Sequence, residues 1–403
     1  MALMPVDDAL AAVLAGAHGL DTELVAIEDA HRRVLARDLA ALRTQPPQAM
    51  SAMDGYAVRA ADVAATPATL RVIGEIAAGR PATIGIGPGE ALRIFTGGVV
   101  PEGSDAVVIQ EDTVRDGDRV TVNEAVKPGR HIRPAGIDFK EAQVLLRQGH
   151  RLSDRDLALA AGMNHAALPV HRRPRLAMLA TGDELVMPGT TPAPGQIVYS
   201  NGYALRALAR AEGADVIDLG IAADTLDATQ AAIRQARDLG VDLLVTTGGA
   251  SAGDHDLVKG ALEAEGTTIA FWKIAMRPGK PMMHGHLGPM RVIGLPGNPV
   301  SSYVCAVLFM VPLIRALCGM SEPRHVREPA LLGADLSAND QREDYLRATL
   351  SHDQTGRQIA TPVDSQDSSL LARLASAEAL IVRPAFAPAA PAGSPCVILK
   401  LPL

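Results

Sequence analysis

The sequence predicts a multidomain protein of the α/β and β classes, and three observations carry that reading. The chain has 403 residues, too many for one compact core and about right for two to four domains of roughly 100–200 residues each. From 175 to 318, apolar strand-like runs alternate with amphipathic helical stretches, which predicts a largely parallel sheet covered on both faces. On either side, at 46–145 and 321–403, short β-like runs separated by Gly, Pro and Asp predominate.

Taken in order, residues 6–17 and 28–40 carry apolar side chains at helical spacing, Leu10, Val13 and Leu14 among them, and are expected as helices. The polar break Arg43-Thr-Gln-Pro-Pro-Gln follows. Runs at 70–76, 91–95, 106–110 and 119–122 then predict a small β-rich domain over 46–145. Helical signal returns at 153–162, where Ser153 and Asp156 have capping-box spacing and Gly162 offers a stop. The β-rich segment is thus read as an insertion into a discontinuous helical domain made of 1–45 and 146–174. In the α/β unit, 175–320, strands are expected at 175–180, 216–219, 241–246, 268–274 and 291–295. Its helices are expected at 201–212, 225–238, 255–264 and 299–317. Runs at 326–334, 344–351, 357–362, 379–383 and 396–401 predict a small, barrel-like C-terminal β domain.

Composition narrows the function classes. A formal net charge of −7, evenly spread, gives no electrostatic footprint for nucleic acid. At 48% hydrophobic and 21% charged the chain is not a disordered one. An aromatic content of 3%, with Trp272 the sole tryptophan, implies an aliphatic core without a base-stacking platform. Cys305, Cys318 and Cys396 form no CxxC pair and read as buried thiols in a reducing compartment. The N-terminal residues have no basic stretch and two early acids, unlike a secretory signal. The apolar run 300–314 is too short to span a bilayer and is expected as a buried helix. A cytoplasmic protein with no membrane partner is the expectation.

In an open parallel sheet, ligands bind beyond the carboxyl ends of the strands. Three expected strand ends carry loops suited to anions. One is Thr181-Gly182-Asp183-Glu184, with adjacent carboxylates. The second, Thr247-Gly248-Gly249-Ala250-Ser251-Ala252-Gly253-Asp254-His255-Asp256, has glycines that let backbone N–H groups approach a phosphate. The third, Pro296-Gly297-Asn298-Pro299-Val300-Ser301, places Asn298 as a candidate N-cap and Pro299 at the first helical position. None matches GxGxxG or a P-loop, which lowers a dehydrogenase or common NTPase reading. Lys273, Arg277 and Lys280, spaced by Pro278 and Pro281, add an oxyanion pocket.

Five segments carry a resemblance: Ser51-Ala-Met-Asp-Gly-Tyr-Ala, Thr181-Gly-Asp-Glu-Leu, Thr247-Gly-Gly-Ala-Ser-Ala-Gly-Asp, Arg277-Pro-Gly-Lys-Pro and Gly294-Leu-Pro-Gly-Asn-Pro. Together, in this order over nearly the whole chain, they resemble the molybdopterin molybdenumtransferase (MoeA) family, which includes the gephyrin E domain. The resemblance implies Mg2+-dependent insertion of molybdate into adenylylated molybdopterin, with release of AMP. It implies a homodimer that joins through the discontinuous helical domain and shares its cleft between subunits. Molybdopterin adenylyltransferase and molybdoenzyme apoproteins are candidate further partners.

Residue by residue, the resemblance makes Asp54, Glu184, Asp224, Asp256 and Lys280 the candidate catalytic set, with Glu184, Asp224 and Asp256 around the metal. Ser251 with Thr181, Gly182, Gly248, Gly249 and Gly253 would hold phosphate, and Pro296, Gly297 and Asn298 would border it. Lys280, Pro281, Arg277 and Ser301 would bind molybdate, with Lys273 nearby, and Arg347 and Ser368 would complete the anion site. Asp54, Thr96, Arg133 and Asp138 would come from the partner subunit. Arg277 stands where many relatives have Lys, Asp367 where Gly or Ser is commoner, and Asp224 where two acids are frequent. The readings weighed against this one are molybdopterin adenylyltransferase, a non-catalytic gephyrin-like scaffold and a tungstate-inserting paralogue. The β insertion and C-terminal β domain oppose the first, and retention of the acids and Lys280 opposes the second.

Overall fold

The computed structural model describes residues 3–80, 83–248 and 257–402. At the N-terminus, Val6–Leu14 forms a helix whose Val6, Ala9 and Val13 join the core of the α/β unit. The helix expected at 28–40 is absent. A 3-10 turn at Ile27–Asp29 is followed by extended chain, in which the Leu35 N–H donates to the His150 carbonyl and the Ala36 N–H to the Pro169 carbonyl. Leu39–Ala40 then pairs with Val144–Leu146. Ala30, Leu35, Leu39 and Ala41 are buried among residues 139–170, so their spacing records one-sided burial of an irregular chain and not a helix face.

The helix at Asp154–Gly162 begins with a formed capping box between Ser153 and Asp156. It runs to Gly162, and Asn164 supplies the left-handed turn, at φ 74°. Beside it, Thr22–Ala26 and Ala167–His171 form an antiparallel pair absent from the sequence reading. Between these parts, the inserted six-stranded sheet runs in the order 106–109, 55–58, 90–94, 68–76, 119–122, 113–116.

The α/β sheet has the order 215–222, 175–181, 243–247, 290–295, 283–287, 268–272. Its first four strands are parallel. Met283–Leu287, a strand missing from the sequence reading, is antiparallel to both neighbours. Alternation along Arg175–Thr181 sends Leu176 and Met178 to one core and Ala177 and Leu179 to the other. The helices at Asn201–Ala211 and 299–317 cover the first face, while Leu226–Asp238 and Leu257–Ala264 cover the second. The 299–317 helix, long and apolar enough to cross a membrane by composition, is 89% buried here. It contains a π-helical stretch at Ala306–Met310, just before Pro312.

At the C-terminus, Glu328–Leu332, Glu343–His352, Gln358–Pro362, Ala379–Arg383 and Pro395–Lys400 close into a five-stranded barrel. Met276–Arg277 leaves the α/β unit and pairs alongside Glu343 and Asp344 of that barrel. The Arg277–Pro281 loop therefore stands at the seam between sheet and barrel.

Candidate active site

Parallel pairing sets Thr247 level with Ala180 and Leu295, so the loops after these strands open on one sheet edge. A cavity of about 320 Å3 lies there, lined by Thr181, Glu184, Thr247, Gly248, Gly297 and Asn298. Its floor needs glycine. Gly248 has φ +88°, and a Cβ there would stand 2.2 Å from the Thr181 carbonyl oxygen. The Thr181 hydroxyl, buried beside it, has no hydrogen-bond partner among the described residues. Gly182, at φ +146°, lies under the Glu184 carboxylate. Asn201 donates to the Gly297 carbonyl at 2.7 Å and fixes the third loop.

Asp224 clasps the first loop: its Oδ2 accepts from the Asp183 N–H at 3.3 Å, and its N–H donates to Asp183 Oδ1 at 3.0 Å. Among the described residues, no group of three or more His, Cys, Asp or Glu could hold a metal ion. Gly249, Ser251, Gly253 and Asp256 lie outside the described residues.

A second cavity of about 360 Å3 is lined by Arg277, Lys280, Pro281, Ser301, Arg342, Asp367 and Ser368. The two cavities meet at Asn298, whose Nδ2 donates to Ser368 Oγ at 3.1 Å. Asn298 therefore precedes the helix as expected but makes no side-chain cap. Ser368 faces the second cavity and Ser369 the first, so each serine serves one side. The Ser369 N–H and hydroxyl donate to Asp367 and hold its carboxyl below the ordinary value.

The cations of the second cavity are not equivalent. The Lys280 side chain has no hydrogen bond or ion pair among the described residues, while its carbonyl accepts from the Ile274 N–H at 2.9 Å. Arg277 is committed to Asp344: Nε donates to Oδ1 at 2.8 Å, Nη2 pairs with Oδ2, and these bonds raise its pKa. Lys273 stands outside the cavity, its Nζ 4.4 Å from the centre of the Trp272 ring. Pro296 is buried behind the third loop and lines neither cavity.

Arg347 lines neither cavity. It is 1% exposed, and its guanidinium donates to the carbonyls of Ser365 at 3.2 Å, Asp367 at 2.9 Å and Leu370 at 3.4 Å. These bonds build the loop that carries Ser368. Arg342, which the sequence reading missed, does line the cavity; it lies in a mixed-charge turn, Asp340-Gln-Arg-Glu-Asp, that carries no motif.

The inserted domain holds a separate group. Asp54 Oδ1 accepts from the Thr96 N–H at 2.7 Å and its hydroxyl at 2.8 Å, and these bonds keep the carboxyl below its usual range. Arg133 and Asp138 are exposed, Arg133 in a short strand paired with Met50. Among the described residues, no hydrogen bond or ion pair links the side chains of Asp54, Thr96, Arg133 or Asp138 to either cavity.

Comparison with known proteins agrees with this architecture. Residues 4–163 match the MoeA N-terminal region (domain I and II), 177–316 a probable molybdopterin binding domain, and 329–401 the MoeA C-terminal region (domain IV). The molybdopterin molybdenumtransferase of Bacillus subtilis is 36% identical over 94% of this chain and 90% of its own. The Haemophilus influenzae protein of the same name is 35% identical over 90% of this chain and 89% of its own. The crystal structure of the molybdopterin biosynthesis MoeA protein from Pyrococcus horikoshii OT3 superposes with a TM-score of 0.87 at 27% identity, covering 99% of this chain and all of that one. With family regions in succession from 4 to 401 and such relatives along most of its length, the chain belongs to the molybdopterin molybdenumtransferase (MoeA) family, the transferases of molybdenum cofactor biosynthesis.

Proposed function

We propose that this chain transfers molybdenum from molybdate to adenylylated molybdopterin, with magnesium present and AMP released. The observation that carries the reading is the pair of adjoining cavities with unlike linings. One is a glycine-floored pocket at the strand ends, suited to phosphate. The other, at the barrel seam, is lined by Arg277, Lys280 and Arg342 together with the hydroxyls of Ser301 and Ser368. A substrate whose phosphate lay in the first would bring its sulfurs towards the second.

Lys280 attracts the dianion, and the Ser301 and Ser368 hydroxyls orient it. The Arg277–Asp344 pair keeps the loop at the seam. Gly248 lets ligand oxygens approach the strand end, where the Thr181 hydroxyl has a free donor. Magnesium fits the donor set, because it needs only one or two protein carboxylates besides phosphate oxygens and water. Glu184 has no side-chain partner among the described residues, and Asp224 keeps one oxygen unbonded. These two would hold the ion, which would neutralise phosphate charge. The reading includes a cytoplasmic homodimer in which Asp54 and Thr96 of one protomer face the cavities of its partner.

The test is a single-turnover assay of purified protein with adenylylated molybdopterin. Adding molybdate should release AMP and yield molybdenum-bound pterin. Lys280→Ala should raise the molybdate concentration needed about tenfold, while the pterin still binds. AMP release that ignores molybdate in the unmutated protein would overturn the assignment. Equal turnover with tungstate would widen it to both oxoanions.

A further inference from the structure

Among the described residues two carboxylates are buried, and each stands where one unit of the fold meets another. Asp344 holds Arg277 at the barrel seam. The other, Glu212, has no part in the site described above. It follows the last residue of the helix Asn201–Ala211, its side chain is 5% exposed, and it accepts from two arginines. Arg315, from the helix Val311–Leu317, donates from Nε to Oε2 and from Nη2 to Oε1, each at 2.9 Å. Arg151 reaches in from a different unit, the one built around Leu35, Leu152 and Leu168. Its Nη1 donates to Glu212 Oε2 at 2.9 Å and its Nη2 to the Ala211 carbonyl at 2.8 Å.

Apolar packing does little to set the angle between these two units. From residue 22 to residue 174, Val34 is the one described buried side chain that joins the core of the α/β unit. So thin a contact resists separation but not rotation, because burial has no direction, whereas a guanidinium on a carboxylate does. The chain itself crosses near Arg172, which pairs with Asp242, and that crossing is a pivot. Glu212 supplies a second attachment away from it. Arg151 is fixed at its own end, where the Leu152 N–H donates to the Arg33 carbonyl at 2.8 Å. Burial alone would raise the Glu212 pKa, but Arg315 and Arg151 outweigh it and hold the carboxyl below its ordinary value. The inserted sheet, with Asp54 and Thr96, joins the chain through this same unit, where Leu39–Ala40 pairs with Val144–Leu146. A change of angle at Glu212 is therefore carried out to Asp54.

We propose that Arg151 and Glu212 are positioning residues for the reaction. Their contact sets the angle at which the inserted sheet is held, and so where Asp54 and Thr96 meet the cavities of the partner protomer. The inference rests on the shared cleft proposed above.

Arg151→Gln in the full-length protein tests it, because Glu212 keeps both bonds from Arg315 and its buried charge stays paired. Molybdate-dependent AMP release should fall about tenfold. Molybdate affinity by calorimetry should not change, since the second cavity is built without this unit. Arg151→Lys, which restores a charge but not the fork, should recover part of the loss. Hydrogen exchange gives a readout independent of activity. The Ser321 N–H donates to the Gly149 carbonyl across the same seam at 3.2 Å and should exchange faster in Arg151→Gln. The Glu343 N–H, which donates to the Ala275 carbonyl at the barrel seam, should not. Arg234→Gln is the control, since Arg234 pairs with Glu265 inside the α/β unit; it should leave AMP release and both amides unchanged. Undiminished AMP release in Arg151→Gln overturns the inference, as does a loss matched by lower molybdate affinity or by the control. If the unmutated protein releases no AMP, the functional reading falls instead, and exchange alone judges the clamp: an unchanged Ser321 amide overturns it.

Discussion

A guanidinium buried to 1% exposure must find acceptors for its N–H groups, and Arg347 finds three main-chain carbonyls in the 365–370 loop. Replacing it by Ala leaves those carbonyls unpaired and a void behind them, so Arg347→Ala should cost about 3 kcal/mol of stability. Denaturant unfolding measures it. The positioning role predicts in addition that molybdate affinity falls even where the variant is fully folded, because Ser368 loses its support. An unchanged affinity would reduce Arg347 to a packing residue. At this scale the sequence told which residue types gather at the strand ends but not which were free to act. Lys280, Arg277 and Arg342 are alike as letters. Only their side-chain partners, none for Lys280 among the described residues, Asp344 for Arg277 and Asp340 for Arg342, tell them apart.

Elements were legible where a local rule governed them. The Ser153 capping box started its helix as read, and the five barrel strands emerged from their apolar runs. Met283-His-Gly-His-Leu defeated the same reading, because two histidines and a glycine look like a loop. Sheet position overrides that preference: His284 is 0% exposed between its neighbours Phe271 and Ile293. Its Nδ1 bonds the Val292 carbonyl, and its Nε2 has no partner among the described residues. Burial pushes its pKa from 6.5 down to about 4. Between those values the unfolded chain binds a proton that the folded chain refuses. Stability is therefore intact above about pH 6.5 and declines as pH falls to about 4, by at most about 3 kcal/mol. His284→Phe should remove this part of the acid slope. A variant-minus-parent stability difference that stays constant from pH 7 to pH 4 would show that the imidazole does not contribute.

The whole molecule divides its candidate residues between two places. Glu184, Gly248, Lys280 and Ser368 lie at the sheet edge and the barrel seam, whereas Asp54 and Thr96 bond each other in the inserted sheet. The order of domains along the chain could be read from shifts in periodicity. What each cavity faces across a subunit boundary leaves no periodicity, so in the sequence it rested on resemblance alone. A two-fold dimer would repeat the same contact twice, placing Asp54 of each protomer before Glu184 of the other. That arrangement makes a prediction that a self-contained site cannot match. Asp54→Asn and Glu184→Gln should each abolish molybdate-dependent AMP release as pure preparations. In a mixed dimer carrying one variant per protomer, one cleft holds both substitutions and the other holds neither. Such dimers, co-expressed with two different affinity tags and purified through both, should regain about half the parental activity. If each site were built within one chain, every cleft of the mixed dimer would carry one lesion and activity would stay at the level of the variants. Recovery on both tags establishes that the chains associate, so an inactive mixed dimer would count against the shared cleft and not against dimerisation.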